Sequence, residues 1–254
     1  IRGLALLGIV LVNVPFLALS ETGYTAASLA TSGDRLAAFV TVAFAQAKFY
    51  LLFSFLFGYS LSYLLRDDAA ERRARFRRRL LALGLLGAAH AVFAFVGDIL
   101  VLYAVVGISM LWLVRWSDRA LLRFGGALLL GWLALLGGLA ASLDLWLPDV
   151  NAASGGGLGG GLDAALSDAG FAQVSLARLR TWPEALLSIA VLNGPAVWAM
   201  FAFGTVAGRR RLLAEPERHL RFWRRAALLG TVIGLPLALW SAWLSVGDGQ
   251  TPLH

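Results

Sequence analysis

The chain has 254 residues, of which 59% are hydrophobic and only 15% charged, with a mean hydropathy of +0.75 and a formal net charge of +7. A soluble domain carries about 25% charged residues, so this composition excludes an ordinary water-soluble globule and points to an all-α, polytopic transmembrane helical bundle. The absence of cysteine excludes disulfides, thiolate metal sites and a thiol nucleophile. The positive charge would suit nucleic acid in another setting, but here the arginines flank apolar runs, so membrane lipids and not nucleic acid are the expected partners.

A span needs about 20 predominantly apolar residues, and about seven are expected, forming one transmembrane domain over residues 1–254. The first covers 3–19. Its sequence, "IRGLALLGIVLVNVPFLALSETG", also admits a signal-peptide reading, with small Ala18 and Ser20 ahead of Glu21. The chain opens on Ile1 inside an apolar run and stops soon after its last span, so it reads as a piece incomplete at both ends. The second span, 37–65, is long. The third and fourth, 80–96 and 99–114, are short and joined tightly at Gly97-Asp98, which predicts a helical hairpin. The fifth covers 120–147. Residues 148–183, rich in Gly, Ala and Ser, read as an external flexible loop. The sixth and seventh spans cover 184–207 and 226–246. Their small-xxx-small pairs, Gly204/Gly208 and Gly230/Gly234, predict close packing of these two helices on each other. The flanks around Arg75-Phe76 and Arg221-Phe222 resemble one another, a weak sign of an internal repeat.

Alternate connections differ in basic charge. One side carries 18 arginines, the other Arg35, Arg178 and Arg180, and Lys48 lies inside the second span. The excess places the N-terminus in the cytoplasm.

Polar side chains within spans are costly and face a bundle interior or a wet cavity. At about 1.5 Å per residue, Asn13 lies about 9 Å from the outer end of its span, Lys48 about 16 Å, His90 about 10 Å and Asn193 about 14 Å. Asp98 caps the outer tip of the hairpin and Asp144 lies one turn from the outer end of the fifth span. All six fall in the outer half, which predicts an outward-opening pocket. There a neutral His90 suits general-base work, with Asp98 orienting it. Plainer roles stand beside these: His90 as a hydrogen-bonding residue, Asp98 as the N-cap of the fourth span, Asn13 and Asn193 as interhelical partners. On the inner side, Arg2, Arg78 and Arg79 belong to clusters that suit either anionic lipid headgroups, at about 1 kcal/mol per residue, or the phosphates of a donor such as acyl-CoA. No Gly-rich phosphate loop, zinc signature or nucleophile elbow is present, and no metal is expected.

Three stretches resemble a known family. "IRGLALLGIVLVNVP" is similar to the first-span signature of YeiB-like bacterial membrane proteins through Arg2, Gly3, Gly8 and Asn13, without the acid that leads it. "AKFYLLFSFLFGYSLS" resembles their L-F-S-x-L-F-G motif through Leu52, Phe53, Ser54, Leu56, Phe57 and Gly58. "RRRLLALGLLGAAH" with "GDILVLYAVVG" resembles a third segment through Arg78, Leu80, Leu83, Gly87, His90, Asp98, Ile99, Leu100, Tyr103 and Ala104. The likeness covers the first 110 residues or so.

That family is similar to the transmembrane acyltransferases that include heparan-alpha-glucosaminide N-acetyltransferase. The resemblance implies a multi-pass protein of the bacterial cytoplasmic membrane. It also implies transfer of an acyl group from a cytoplasmic thioester such as acyl-CoA to an acceptor at the outer face. His90 and Asp98 would then be catalytic, and Asn13, Lys48, Tyr103 and Asn193 would line the substrate pocket. Two features depart from the pattern. A T-N-Y-x-x-Q type motif is not found before His254, and the connection "TGYTAASLATSGDRLAAF" lacks the histidine that the acyltransferases carry ahead of their second span. A small-solute transporter or channel, and a bundle that binds lipid or partner proteins without chemistry, are the alternatives; a homo-oligomer is compatible with each.

Overall fold

A computed structural model of the chain describes residues 2–19, 23–24, 27–65, 70–146 and 170–246, with Arg2, Ala27 and 139–146 described by backbone alone. The described residues form helices α1 (Arg2–Ala18), α2 (Ser32–Phe44), α3 (Lys48–Leu64), α4 (Ala70–Phe93), α5 (Leu100–Leu113), α6 (Asp118–Trp146), α7 (Phe171–Arg209), α8 (Leu220–Leu229) and α9 (Leu235–Val246), and no strand occurs among them. The runs Ser32–Leu64, Asp118–Gly138, Phe171–Arg209 and Pro216–Val246 are long and apolar enough to cross a bilayer, with Gly3–Ala18 and Leu100–Leu113 as shorter apolar helices. Large apolar side chains such as Leu7, Leu85, Leu130, Leu187 and Val232 point outward. Water would disfavour so extensive an apolar exterior, whereas acyl chains accept it. The make-up is that of a membrane protein with an all-helical fold.

The helices assort into two compact units. The first comprises residues 1–53 and 211–254. Its α2 opens at Ser32 on a capping box: the Thr31 hydroxyl accepts from the Asp34 N–H at 3.1 Å, and the Asp34 carboxylate accepts from the Thr31 N–H at 3.2 Å. One face of α2, with Ala38, Val42 and Ala43, packs on Ala242 and Val246 of α9. The expected second span is interrupted here. Residues 45–47 leave the helix, and Ala47 adopts φ +64°, a left-handed conformation unfavourable for a residue with a Cβ. Lys48 Nζ donates to the carbonyls of Val42 (3.3 Å) and Gln46 (3.2 Å), supplying donors to backbone acceptors at the break. The 3₁₀ turn Pro216–His219, α8, a π-helical turn Gly230–Gly234 and α9 follow one another in the same unit.

The second unit spans residues 54–210. Helices α4 and α5 form the expected hairpin, with Leu80 of α4 lying over Gly107 of α5 and Gly84 facing the Ala104 methyl. Helix α3 meets α7 along glycines: Gly58 lies against the Phe201 backbone, Gly204 against the Phe55 carbonyl, and Gly208 against Tyr59 and Ser62. The Gly204/Gly208 pair thus meets α3 within the second unit. In the first unit, a methyl group at Gly230 or Gly234 would meet nothing within 4 Å. Small-xxx-small spacing makes a face flat but does not specify what meets it. Phe57 stacks on Phe201 at 4.7 Å between ring centroids and also contacts Phe76 and Tyr103.

Helix α7 begins at Phe171 with Gly170 as its N-cap, so 171–183, expected in the external loop, are helical; residues 148–169 of that loop lie outside the described residues. It runs on through Pro183 and Pro195. Each proline removes one i→i−4 bond, and near the second the Leu192 carbonyl accepts from Trp132 Nε1 of α6 at 2.6 Å. At its other end, Arg209 and Arg210 pair with Asp118 at 3.0 and 3.1 Å, and Arg209 also donates to the Trp116 and Val114 carbonyls, closing the α5–α6 turn.

A methyl group at Gly204 would overlap the Phe55 carbonyl, whereas one at Gly126 meets nothing within 4 Å. Gly204→Ala is expected to destabilise by about 1–3 kcal/mol. Gly126→Ala should be neutral or stabilising by up to about 1 kcal/mol through helix propensity. Thermal unfolding of the two variants in detergent checks the contrast.

Candidate functional site

The residues between α4 and α5, 94–99, turn the chain tightly enough to bring the end of one helix beside the start of the next. Within this turn the Asp98 carboxylate is divided between two tasks. Oδ1 accepts from the Leu100 N–H at 2.7 Å, capping a free donor of the first turn of α5. Oδ2 lies 2.8 Å from Nδ1 of His90, in the last turn of α4. The N-cap of α5 is Ile99 and not Asp98 as expected; Asp98, one residue further out, still supplies the acceptor for the first helical N–H while its other oxygen meets His90.

Gly87 makes this possible. A Cβ there would lie 2.8 Å from Asp98 Oδ1 and 2.8 Å from the Val101 nitrogen, so only glycine lets the carboxylate and the start of α5 lie against α4. Burial pushes the Asp98 carboxyl up from its ordinary range, and the Leu100 N–H and the His90 ring oppose that shift by favouring the ionised form. The side-chain exposures differ sharply, 4% for Asp98 and 45% for His90. Against an ionised Asp98, Nδ1 is the donor, which leaves Nε2 with its lone pair. No described residue bonds to Nε2. Phe95 stands edge-on to the imidazole at 6.5 Å. The pair thus has a buried acid and an open base, an arrangement able to take a proton from an approaching hydroxyl or amine.

Of the other candidates, Tyr103, Asn193, Arg78 and Arg79 belong to the same unit as the pair, and Asn13 and Lys48 to the first unit. Tyr103, expected to line the pocket, is 1% exposed and its hydroxyl accepts from buried Ser54 of α3 at 2.9 Å, so its place is in the helix packing. Lys48 sits at the head of α3 on the carbonyls of the α2–α3 break rather than within a continuous span. Asn13 is half-buried on α1 and Asn193 half-buried on α7. Arg79 lines a recess at the α3–α4 end of the second unit, and Arg78 is exposed without lining it. The side chains of Arg2 and Asp144 lie outside the described residues. Among the described residues no group of three or more His, Cys, Asp or Glu could hold a metal ion.

Two residues beside the pair escaped the sequence reading. Arg178 Nη1 donates to the Phe93 carbonyl at 3.2 Å, and Phe93 stacks on Phe171 at 6.2 Å, so the first turns of α7 pack on the end of α4 that carries His90. On the same face, Ser175 is buried and its hydroxyl finds no partner among the described residues. Both lie in the stretch assigned to the loop; the helical spacing of Phe171, Val174, Ser175 and Arg178 is the signal that could have found them.

No family model and no solved structure matches the chain. It is 28% identical over 256 residues to the uncharacterized protein YxaH of Bacillus subtilis (strain 168), an alignment covering 92% of this chain and 63% of that protein. It is 35% identical over 162 residues to the uncharacterized protein YeiB of Escherichia coli (strain K12), covering 60% of this chain and 41% of that protein. The chain therefore spans less than two thirds of the length of either relative. These similarities support the likeness to YeiB-like membrane proteins.

The two tasks of Asp98 separate by substitution. Asp98→Ala removes both the cap and the histidine bond and is expected to destabilise by about 1–2 kcal/mol. Asp98→Asn retains an acceptor for Leu100 N–H and should cost less. Equal losses of thermal stability in detergent would refute the capping role.

Proposed function

We propose that the chain belongs to a membrane enzyme that moves an acyl group from a cytoplasmic thioester, such as acyl-CoA, to an amine or hydroxyl acceptor at the outer face of a bacterial cytoplasmic membrane. On this reading the N-terminus is cytoplasmic, in keeping with the arginine distribution. The observation that carries the proposal is the His90–Asp98 pair, with Nδ1 held at 2.8 Å by a buried carboxylate and the other edge of an exposed imidazole left open. The pair unites the G-x-x-H and D-I-L segments of the family resemblance.

In the proposed reaction Nε2 accepts the proton of the acceptor as its oxygen or nitrogen attacks the thioester carbonyl. The new acyl bond forms, the C–S bond breaks, and the departing thiolate takes the proton back from the imidazolium, so the products are the acylated acceptor and a free thiol. Asp98 holds the ring in one tautomer and stabilises the imidazolium between the two proton transfers. On this reading Arg178 and the Ser175 hydroxyl, on the α7 face against the end of α4, would orient a polar acceptor.

Because the chain has no cysteine, thiol release can be read directly with a thiol-reactive dye. Purified protein in detergent, given acetyl-CoA with glucosamine or water as acceptor, is expected to release thiol, and His90→Ala to lower the rate by about 100-fold or more. No release above buffer, or a His90→Ala rate equal to wild type, overturns the proposal.

A further inference from the structure

At the end of the second unit away from His90, the last turn of α3 and the first three turns of α4 enclose an open recess of about 210 Å³, lined by Tyr63, Leu64, Arg72, Arg75, Phe76 and Arg79. The lining is not a random sample of a basic flank. On α4 it takes positions i, i+3, i+4 and i+7, a single helical face, so three of the seven arginines between residues 66 and 79 converge while exposed Arg77 and Arg78 do not line it. Phe76 is buried and its ring lies 6.5 Å from that of Phe57, which fixes α4 against α3. The Tyr63 hydroxyl lies 3.1 Å from that of Tyr59, adding a polar hydroxyl at the rim.

We propose that this recess binds a phosphate ester carrying an apolar neighbour. Guanidinium groups present paired N–H donors that match phosphate oxygens, and three of them on one face supply both the charge and the donors for a single phosphate. Leu64 and Phe76 supply an apolar wall. A phosphate attached to an acyl chain or other lipophilic group satisfies both halves of the lining. That chemistry could come from a bilayer phospholipid or from a soluble phosphate ester. The proposal does not depend on the acyl-transfer reading, and its test reads binding alone.

The experiment compares two charge-matched double variants of the full chain in neutral detergent. R75Q/R79Q removes guanidinium groups from the recess, and R77Q/R78Q removes the same charge from the same helix outside it. All four residues are exposed and glutamine keeps helix propensity close to that of arginine. Native mass spectrometry measures retention of phosphatidylglycerol against phosphatidylcholine, and equilibrium dialysis measures labelled inorganic phosphate. R75Q/R79Q is expected to weaken retention about tenfold and R77Q/R78Q to leave it near wild type. Selective retention of phosphatidylglycerol with no phosphate binding assigns the recess to a lipid headgroup; phosphate binding without lipid selectivity assigns it to a soluble ester. An equal fall in both variants, which a diffuse surface potential would give, or no binding in either arm, overturns the proposal.

Discussion

In a bilayer, an apolar side chain gains little by exchanging lipid for a neighbouring helix, so helices associate through close backbone approach and interhelical hydrogen bonds. The second unit is organised by that constraint. Gly58 of α3 and Gly204 and Gly208 of α7 bring the two backbones into contact. The crossing is then secured by Thr205, whose hydroxyl donates to the carbonyls of Gly58 at 3.2 Å and Phe201 at 2.8 Å. The Ser54–Tyr103 bond ties α3 to α5 across the same core, and Trp198 Nε1 reaches Ser109 Oγ at 2.6 Å to tie α7 to α5. Each of these contacts joins a particular pair of helices, which is how a largely apolar bundle favours one register.

The same logic produces the candidate site. Gly87 lets α5 start against α4, and the start of α5 has backbone N–H groups that need an acceptor within the apolar environment. A carboxylate at Asp98 answers that need with one oxygen, and its second oxygen is left aimed at the neighbouring helix, where His90 meets it. Structure and chemistry are therefore not competing explanations of Asp98. The backbone N–H of Leu100 holds the acid in place and favours its ionised form against the effect of burial, and a carboxylate so held sets the tautomer of the histidine.

Much of this was legible in the chain itself. The α4–α5 hairpin and the bounds of α6 follow from apolar runs separated by Gly97-Asp98 and by arginines, and His90 and Asp98 stood out as polar residues in an apolar setting. What escaped was decided by tertiary partners. Nothing in Ala45-Gln46-Ala47 announces a break, since alanine is a strong helix former; the interruption is visible only through Ala47's backbone and the Lys48 contacts. Pro183 closes the expected external loop, yet in α7 it lies mid-helix, where neighbouring helices can relieve a missing bond. Tyr103 belongs to the same motif as Asp98, yet it is buried against Ser54 of α3. The motif is better divided into Gly87, His90 and Asp98, which converge, and Tyr103, which belongs to the packing with Ser54. The glycine pairs and the Arg72–Arg75–Arg79 face show the same limit: periodicity reveals which residues share a side, not what stands opposite.

Helix α4 carries both features to which chemistry has been assigned, the arginine face in its first turns and His90 in its last. It is continuous from Ala70 to Phe93, so Arg75 and His90 are separated by about 22 Å along a straight axis at about 1.5 Å per residue. A single continuous helix thus sets the distance between the proposed phosphate-binding end and the proposed proton-accepting end. Were both proposals to hold, a donor bearing its phosphate at one end and its reactive carbonyl at the other would need an extended linker of that length to engage both. A compact phosphate ester could occupy only the recess. The length of α4 would in that case act as a ruler, excluding short donors from the histidine without any residue dedicated to rejecting them.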